Sequence, residues 1–177
     1  FLAALDARSF DVHREAMPTL EELRRYAADA AGSVMRAAAA VLGADDGGRS
    51  EDLLADASLA VTAAGALRQF ARQASRGRLL VPTEVLDRHG VDPGEVLAGR
   101  TSPALHAALA EFGALARRHA RRTMAQLAEK APAAAWPAFL HVGLVPLYLD
   151  RMERGGYDPF ATALDVPQWR RQWRLWR

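Results

Sequence analysis

The run from Leu67 to Pro82, L-R-Q-F-A-R-Q-A-S-R-G-R-L-L-V-P, gathers the residues best equipped for chemistry in this chain. Arg68, Arg72 and Arg76 recur every four residues, a spacing that draws them into one stripe on a helix, and Arg78 follows just beyond Gly77. A guanidinium offers a planar fork of donors, so these cations could hold an anionic head group directly. The competing reading is a solvated face near a helix C-terminus, where the helix dipole favours positive charge. Gln69 and Gln73 keep the same four-residue spacing and place two neutral amides beside the arginines.

The last ten residues, Q-W-R-R-Q-W-R-L-W-R, set Trp169, Trp173 and Trp176 on one helical stripe among arginines. That pattern suits a helix lying at a membrane surface with its indoles at head-group level. It also suits a terminal helix docked on the core with its arginines snorkelling, and docking is the preferred reading. Either way these tryptophans are candidate membrane or partner contacts. Indoles among arginines could also stack on single-stranded nucleic acid, but one short segment on a chain of net charge +2 predicts no nucleic-acid partner.

Other chemistries find no footing. His13, His89, His106, His119 and His141 are scattered; His106 and His119 share a predicted helix but stand more than three turns apart, so no metal site is predicted. The absence of cysteine excludes disulfides and thiolate ligands. No Ser-His-Asp or glycine-rich phosphate-loop pattern is present, and no catalytic residue is assigned.

The elements that must position these residues read as all-α. The chain has 177 residues, half of them hydrophobic, which predicts a single domain over 1–177 with a substantial core. Thr19 with Glu22 forms a capping-box pattern that opens a helix running to Leu42, where Gly43 stops it. Residues 44–49 read as a loop, Ser50 caps a second long helix reaching Ser75, and Gly77 terminates it. Short helices follow from Thr83 to His89 and from Pro93 toward Gly99. Ser102-Pro103 opens a long helix to Lys130. Pro132 to Arg154 is helical with interruptions at Pro137 and Pro146, and Pro167 starts the terminal helix. No apolar run reaches the length of a membrane span.

The Leu67–Pro82 run resembles the second signature segment of the squalene/phytoene synthase family, roughly L-R-D-x-x-E-D-A-x-R-G-R-x-Y-L-P. Arg68, Ala74, Arg76, Gly77, Arg78 and Pro82 match, while Gln69, Arg72 and Gln73 stand where the family has Asp, Glu and Asp. Upstream, Tyr26 to Val34 is similar to the family's Y-C-x-Y-V-A-G-x-V-G, with Tyr26, Ala31, Gly32 and Val34 matching and Asp29 in place of a tyrosine. Thr62 and Ala64-Gly65 replace a more polar stretch, and the family's first acidic motif is absent.

This resemblance implies an isoprenoid-synthase-like helical bundle around a central cavity, with the helices that carry the first acidic motif missing from the N-terminal side and that side of the cavity standing open. It places Tyr26, Asp29, Gly32, Arg68, Gln69, Arg72, Gln73, Arg76 and Arg78 at the pocket, with Tyr26, Gly32, Leu67 and Phe70 buried. In the family, carboxylates four residues apart hold magnesium against a substrate diphosphate. Amides are poor ligands for a hard cation, and Arg72 replaces attraction by repulsion, about 4 kcal/mol for unit charges 4 Å apart at an effective dielectric near 20. No cofactor is therefore expected, magnesium belonging only to an active enzyme.

Within the family the chain is most similar to a branch with degenerate acids, found in alphaproteobacteria and mitochondria, that includes a complex I assembly factor. The residues that carry this are A-S-R-G-R-L-L-V-P, His89-Gly90-Val91 and Pro132–Leu140. The implied function is a non-catalytic binding or assembly factor, with a complex I subunit or intermediate as partner and an anionic lipid or isoprenoid as ligand. The implied location is the bacterial cytoplasm or the face of the inner membrane, or the mitochondrial matrix. The alternative is a prenyltransferase condensing two prenyl diphosphates head to head.

Overall fold

The computed structural model describes residues 16–43, 51–130, 133–154 and 156–176. Thr19 accepts the Glu22 amide at 3.1 Å and opens α1, Leu20–Ala27. The same run of backbone continues through a π-helical turn, Ala28–Gly32, into α2, Ser33–Val41. The expected helix thus covers the predicted span but carries a widened turn. In that turn the Ser33 hydroxyl donates back to the Asp29 carbonyl at 2.5 Å, the kind of side-chain bond that loosens regular helix.

Glu51–Arg68 forms α3, whose buried residues Leu53, Leu54, Ala57, Leu59, Ala60, Ala63, Ala64, Ala66 and Leu67 lie on every side. A helix apolar all round belongs inside a protein, and α3 runs at the centre, most extensively against α7, Pro103–Lys130. The many alanines allow close approach of its neighbours: α1 and the π turn on one side, α8 (Val145–Met152) on another. Where one uninterrupted helix was expected to Ser75, Gln69 leaves helical geometry (φ −103°, ψ 10°) and a short α4, Phe70–Ala74, restarts after it. The loop cap predicted at Ser50 and the loop 44–49 lie outside the described residues, as does His13.

Short α5 (Thr83–Arg88) and α6 (Pro93–Leu97) precede α7. Ser102 caps α7 by accepting the Leu105 amide at 3.1 Å. Residues Ala133–Leu144 form a 3-10 helix rather than a kinked α-helix, and Pro146 begins α8 instead of interrupting it. Proline is tolerated in a first helical turn because its missing donor would be unpaired there anyway. The terminal helix, α9, is Gln168–Trp176 and rests on the 3-10 segment.

The segment before α1 is tied to the end of the arginine-rich run. The Met17 amide donates to Leu79 O at 2.8 Å and the Thr83 amide to Met17 O at 2.8 Å, with Met17 only 2 % exposed. Among the described residues this pairing gives one isolated bridge, Ala16 with Leu79, and no strand. It holds α1, which carries Tyr26, beside the loop that carries Arg78.

Candidate functional site

A cavity of about 590 Å³ opens between the π turn, α2, the α3–α4 junction and the 3-10 segment. Its apolar wall is Ala30, Ala31, Val34, Met35, Ala38, Val61, Ala66, Leu80, Pro137 and Ala138. The polar lining is Tyr26, Thr62, Gln69, Arg72, Gln73, Arg76, Arg78 and His141, with no carboxylate among it.

Helical spacing explains which residues of the arginine-rich run arrive here. Thr62, Gly65 or Ala66, Gln69, Arg72 or Gln73, and Arg76 recur every three or four residues and share one face. Arg68 falls about 100° from Gln69 on the same helical wheel. It turns to α8, where its guanidinium lies 5.2 Å over the Tyr148 ring and donates to the hydroxyl at 3.3 Å. Expected in the pocket with Arg72 and Arg76, Arg68 does not line it.

The end of α4 sets Arg78. The Arg78 amide donates to Gln73 O and the Gly77 amide to Ala74 O, both at 2.9 Å, and Gly77 has φ +74°. This double bond with a left-handed glycine is the Schellman ending of a helix. It reverses the chain so that Arg78 returns to the same wall as Gln73. Arg72 donates to Gln69 Oε1, which keeps its fork on the cavity face. The Arg76 side chain is exposed and makes no hydrogen bond or ion pair among the described residues.

Two further expected pocket residues lie elsewhere. Asp29 is exposed on the outer side of the π turn, and Gly32 is buried against α3, a Cβ there falling 3.6 Å from Ser58 Cβ. Leu67 and Phe70 are buried as expected, both at 2 %, whereas Tyr26 is half-buried because its ring borders the cavity. The sequence reading missed His141. Its signal is the interval of three from Ala138, which sets the two directly in line in a 3-10 helix.

The other described histidines are held by partners. His119 Nδ1 lies 2.5 Å from Asp56 Oδ1, joining α7 to α3; His89 meets Glu111 at 2.7 Å; His106 meets Thr101 Oγ1 at 3.1 Å. Burial, then the neighbouring Asp158, raises the Tyr157 phenol from 10.0 to about 12. Contrary to the docking expected of the terminal tryptophans, Trp169 and Trp173 are both 63 % exposed, although α9 itself packs on the 3-10 segment. The Trp176 side chain lies outside the described ones.

The residues on the cavity face do not fit magnesium. A hard divalent cation takes oxygen ligands, principally carboxylates, and this face offers two amides and three guanidinium groups. Among the described residues no three His, Cys, Asp or Glu side chains gather as a metal site. No helix among them is long and apolar enough to cross a membrane.

An all-helical bundle around a cavity of this kind is the isoprenoid-synthase type of fold. A solved squalene synthase from Alicyclobacillus acidocaldarius superposes with a TM-score of 0.79 at 24 % identity, over 90 % of this chain and 60 % of that one. The sequence profile of the squalene/phytoene synthase family matches residues 1–177, and the chain belongs to that family. A phytoene synthase from Thermus thermophilus is 29 % identical over 86 % of this chain and 52 % of its own length. The mouse protein "NADH dehydrogenase (ubiquinone) complex I, assembly factor 6" is 25 % identical over 90 % of this chain and 47 % of its own length. The chain spans about half the length of the curated relatives it matches.

Proposed function

We propose that this protein is a non-catalytic member of the family, a binding or assembly factor whose partner is a subunit or assembly intermediate of respiratory complex I. One observation carries the loss of chemistry: the cavity face on which the family sets its second acidic motif presents Gln69, Arg72, Gln73, Arg76 and Arg78 and no carboxylate. In place of a metal bridging two anions, the arginines meet the anion themselves. The ligand that suits them is an isoprenoid or lipid with a phosphate head, the apolar wall from Ala30 to Ala38 receiving its chain.

The partner rests on likeness to the mouse assembly factor. With it goes a location in the bacterial cytoplasm or at the inner membrane, or in the mitochondrial matrix. The alternative, a head-to-head prenyltransferase, draws support from the likeness to phytoene synthases of Thermus thermophilus and carrot.

The two readings part on turnover. Protein expressed from the complete gene, given farnesyl or geranylgeranyl diphosphate and magnesium, should release no diphosphate above a no-enzyme control. Product formation would establish the prenyltransferase. Deleting the gene should lower the amount of assembled complex I on native gels, and an unchanged amount would remove the assembly role.

A further inference from the structure

We infer that α9 is a membrane-surface element that lays its tryptophans in the head-group layer of a bilayer containing anionic phospholipid. The observations are separate from the cavity and hold whether or not its chemistry is lost. Trp169 and Trp173 are one turn apart on the same face of α9 and are each 63 % exposed. Large apolar groups left together in water mark a contact surface.

The charge around them names the contact. Arg170 and Arg174 each directly follow one of the two tryptophans, and no acidic residue stands between Val166 and Arg174. Both are exposed, and neither forms an ion pair among the described residues. The Arg170 guanidinium lies 5.1 Å over the Trp169 ring. Positive charge left uncompensated at the level of two indoles is complementary to lipid phosphates above acyl chains: the arginines reach up to the phosphates while each indole keeps its body in the apolar layer and its N–H in the wet one. The supporting 3-10 segment adds half-exposed Trp136 and Leu140, at 38 % and 40 %. With no described helix able to span a bilayer, the contact is peripheral.

Co-sedimentation with vesicles of phosphatidylcholine alone, or with about a third phosphatidylglycerol, tests this at low and high salt. Binding should be at least about tenfold tighter to the anionic vesicles and should weaken as salt rises. R170Q/R174Q should lose roughly twenty-fivefold, from about fivefold for each basic residue at the surface. W169S/W173S should lose about fivefold or more while keeping full helicity by circular dichroism, because both side chains are more than half exposed. Quenching of the unmodified protein's tryptophan fluorescence by brominated lipid needs no variant and should accompany binding. Absence of sedimentation with anionic vesicles would overturn the inference. So would equal binding to both vesicles, binding undiminished in W169S/W173S without quenching, or binding to RNA or an acidic peptide alone.

Discussion

Arg68 stacks its guanidinium 5.2 Å over the ring of Tyr148 and donates to that hydroxyl at 3.3 Å, which removes it from the row it forms with Arg72 and Arg76 in the sequence. The three arginines therefore divide into one that joins α3 to α8 and two that face the cavity.

That division predicts different outcomes for like substitutions. Titrating farnesyl diphosphate by calorimetry in EDTA, R72Q/R76Q should weaken binding about tenfold or more, since hydrogen bonds to charged groups are worth about 1.5–3 kcal/mol each. R68Q should leave affinity within about twofold. Rising salt should weaken the unmodified protein, because the two cavity arginines are solvated. Unchanged affinity in R72Q/R76Q with intact helicity would return these residues to an ordinary charged face.

The His119–Asp56 pair, with Gln126 Nε2 donating to Asp56 Oδ2 at 3.2 Å, fastens α7 to α3. Both side chains are largely buried, at 10 % and 15 %. D56A should cost about 2–4 kcal/mol in urea unfolding by leaving the imidazole unpartnered. Replacing both by leucine should cost much less, because no polar group is then stranded. Equal losses in the two variants would show that shape, not polar pairing, matters here.

Gly32 matches a family glycine yet has ordinary helical angles (φ −62°, ψ −41°), and a Cβ would meet Ser58 only at normal contact distance. G32A should accordingly be neutral or raise stability by up to about 1 kcal/mol through helix propensity. G32L should lower it by about 1–3 kcal/mol, having no room against α3. Thermal melts of the two variants check this, and a large loss in G32A would contradict it.

Tyr157 supplies a pH prediction. Its phenol ionises near 12 in the fold and near 10.0 when unfolded, so above pH 10 the unfolded state sheds a proton that the folded state keeps. Its contribution to stability is constant below about pH 10 and falls as pH rises toward 12. Denaturant unfolding should show a steeper loss over that window in the unmodified protein than in Y157F; parallel curves would contradict the assignment.

Several helix ends were legible in the sequence. Thr19, Ser102, Pro103 and Gly77 each mark a helix end through bonds made within a few residues, and each marks one in the structure. So was the all-α class, because three- and four-residue spacing of apolar positions is itself the record of a helix. The π turn at Ala28–Gly32, the break at Gln69 and the 3-10 winding of Ala133–Leu144 were not.

By itself the sequence determined the family, the helical order and the replacement of acids by Gln69, Arg72 and Gln73, because these reside in residue identity and short-range spacing. Only the tertiary structure decided that Arg68 leaves for Tyr148, that Asp29 faces outward, that His141 joins the cavity and that Trp169 and Trp173 stay exposed. Each of these depends on a neighbour far along the chain: 80 residues separate Arg68 from Tyr148. A side chain's direction is chosen by what happens to pack beside it, and spacing along one helix says which residues share a face but not what that face will meet.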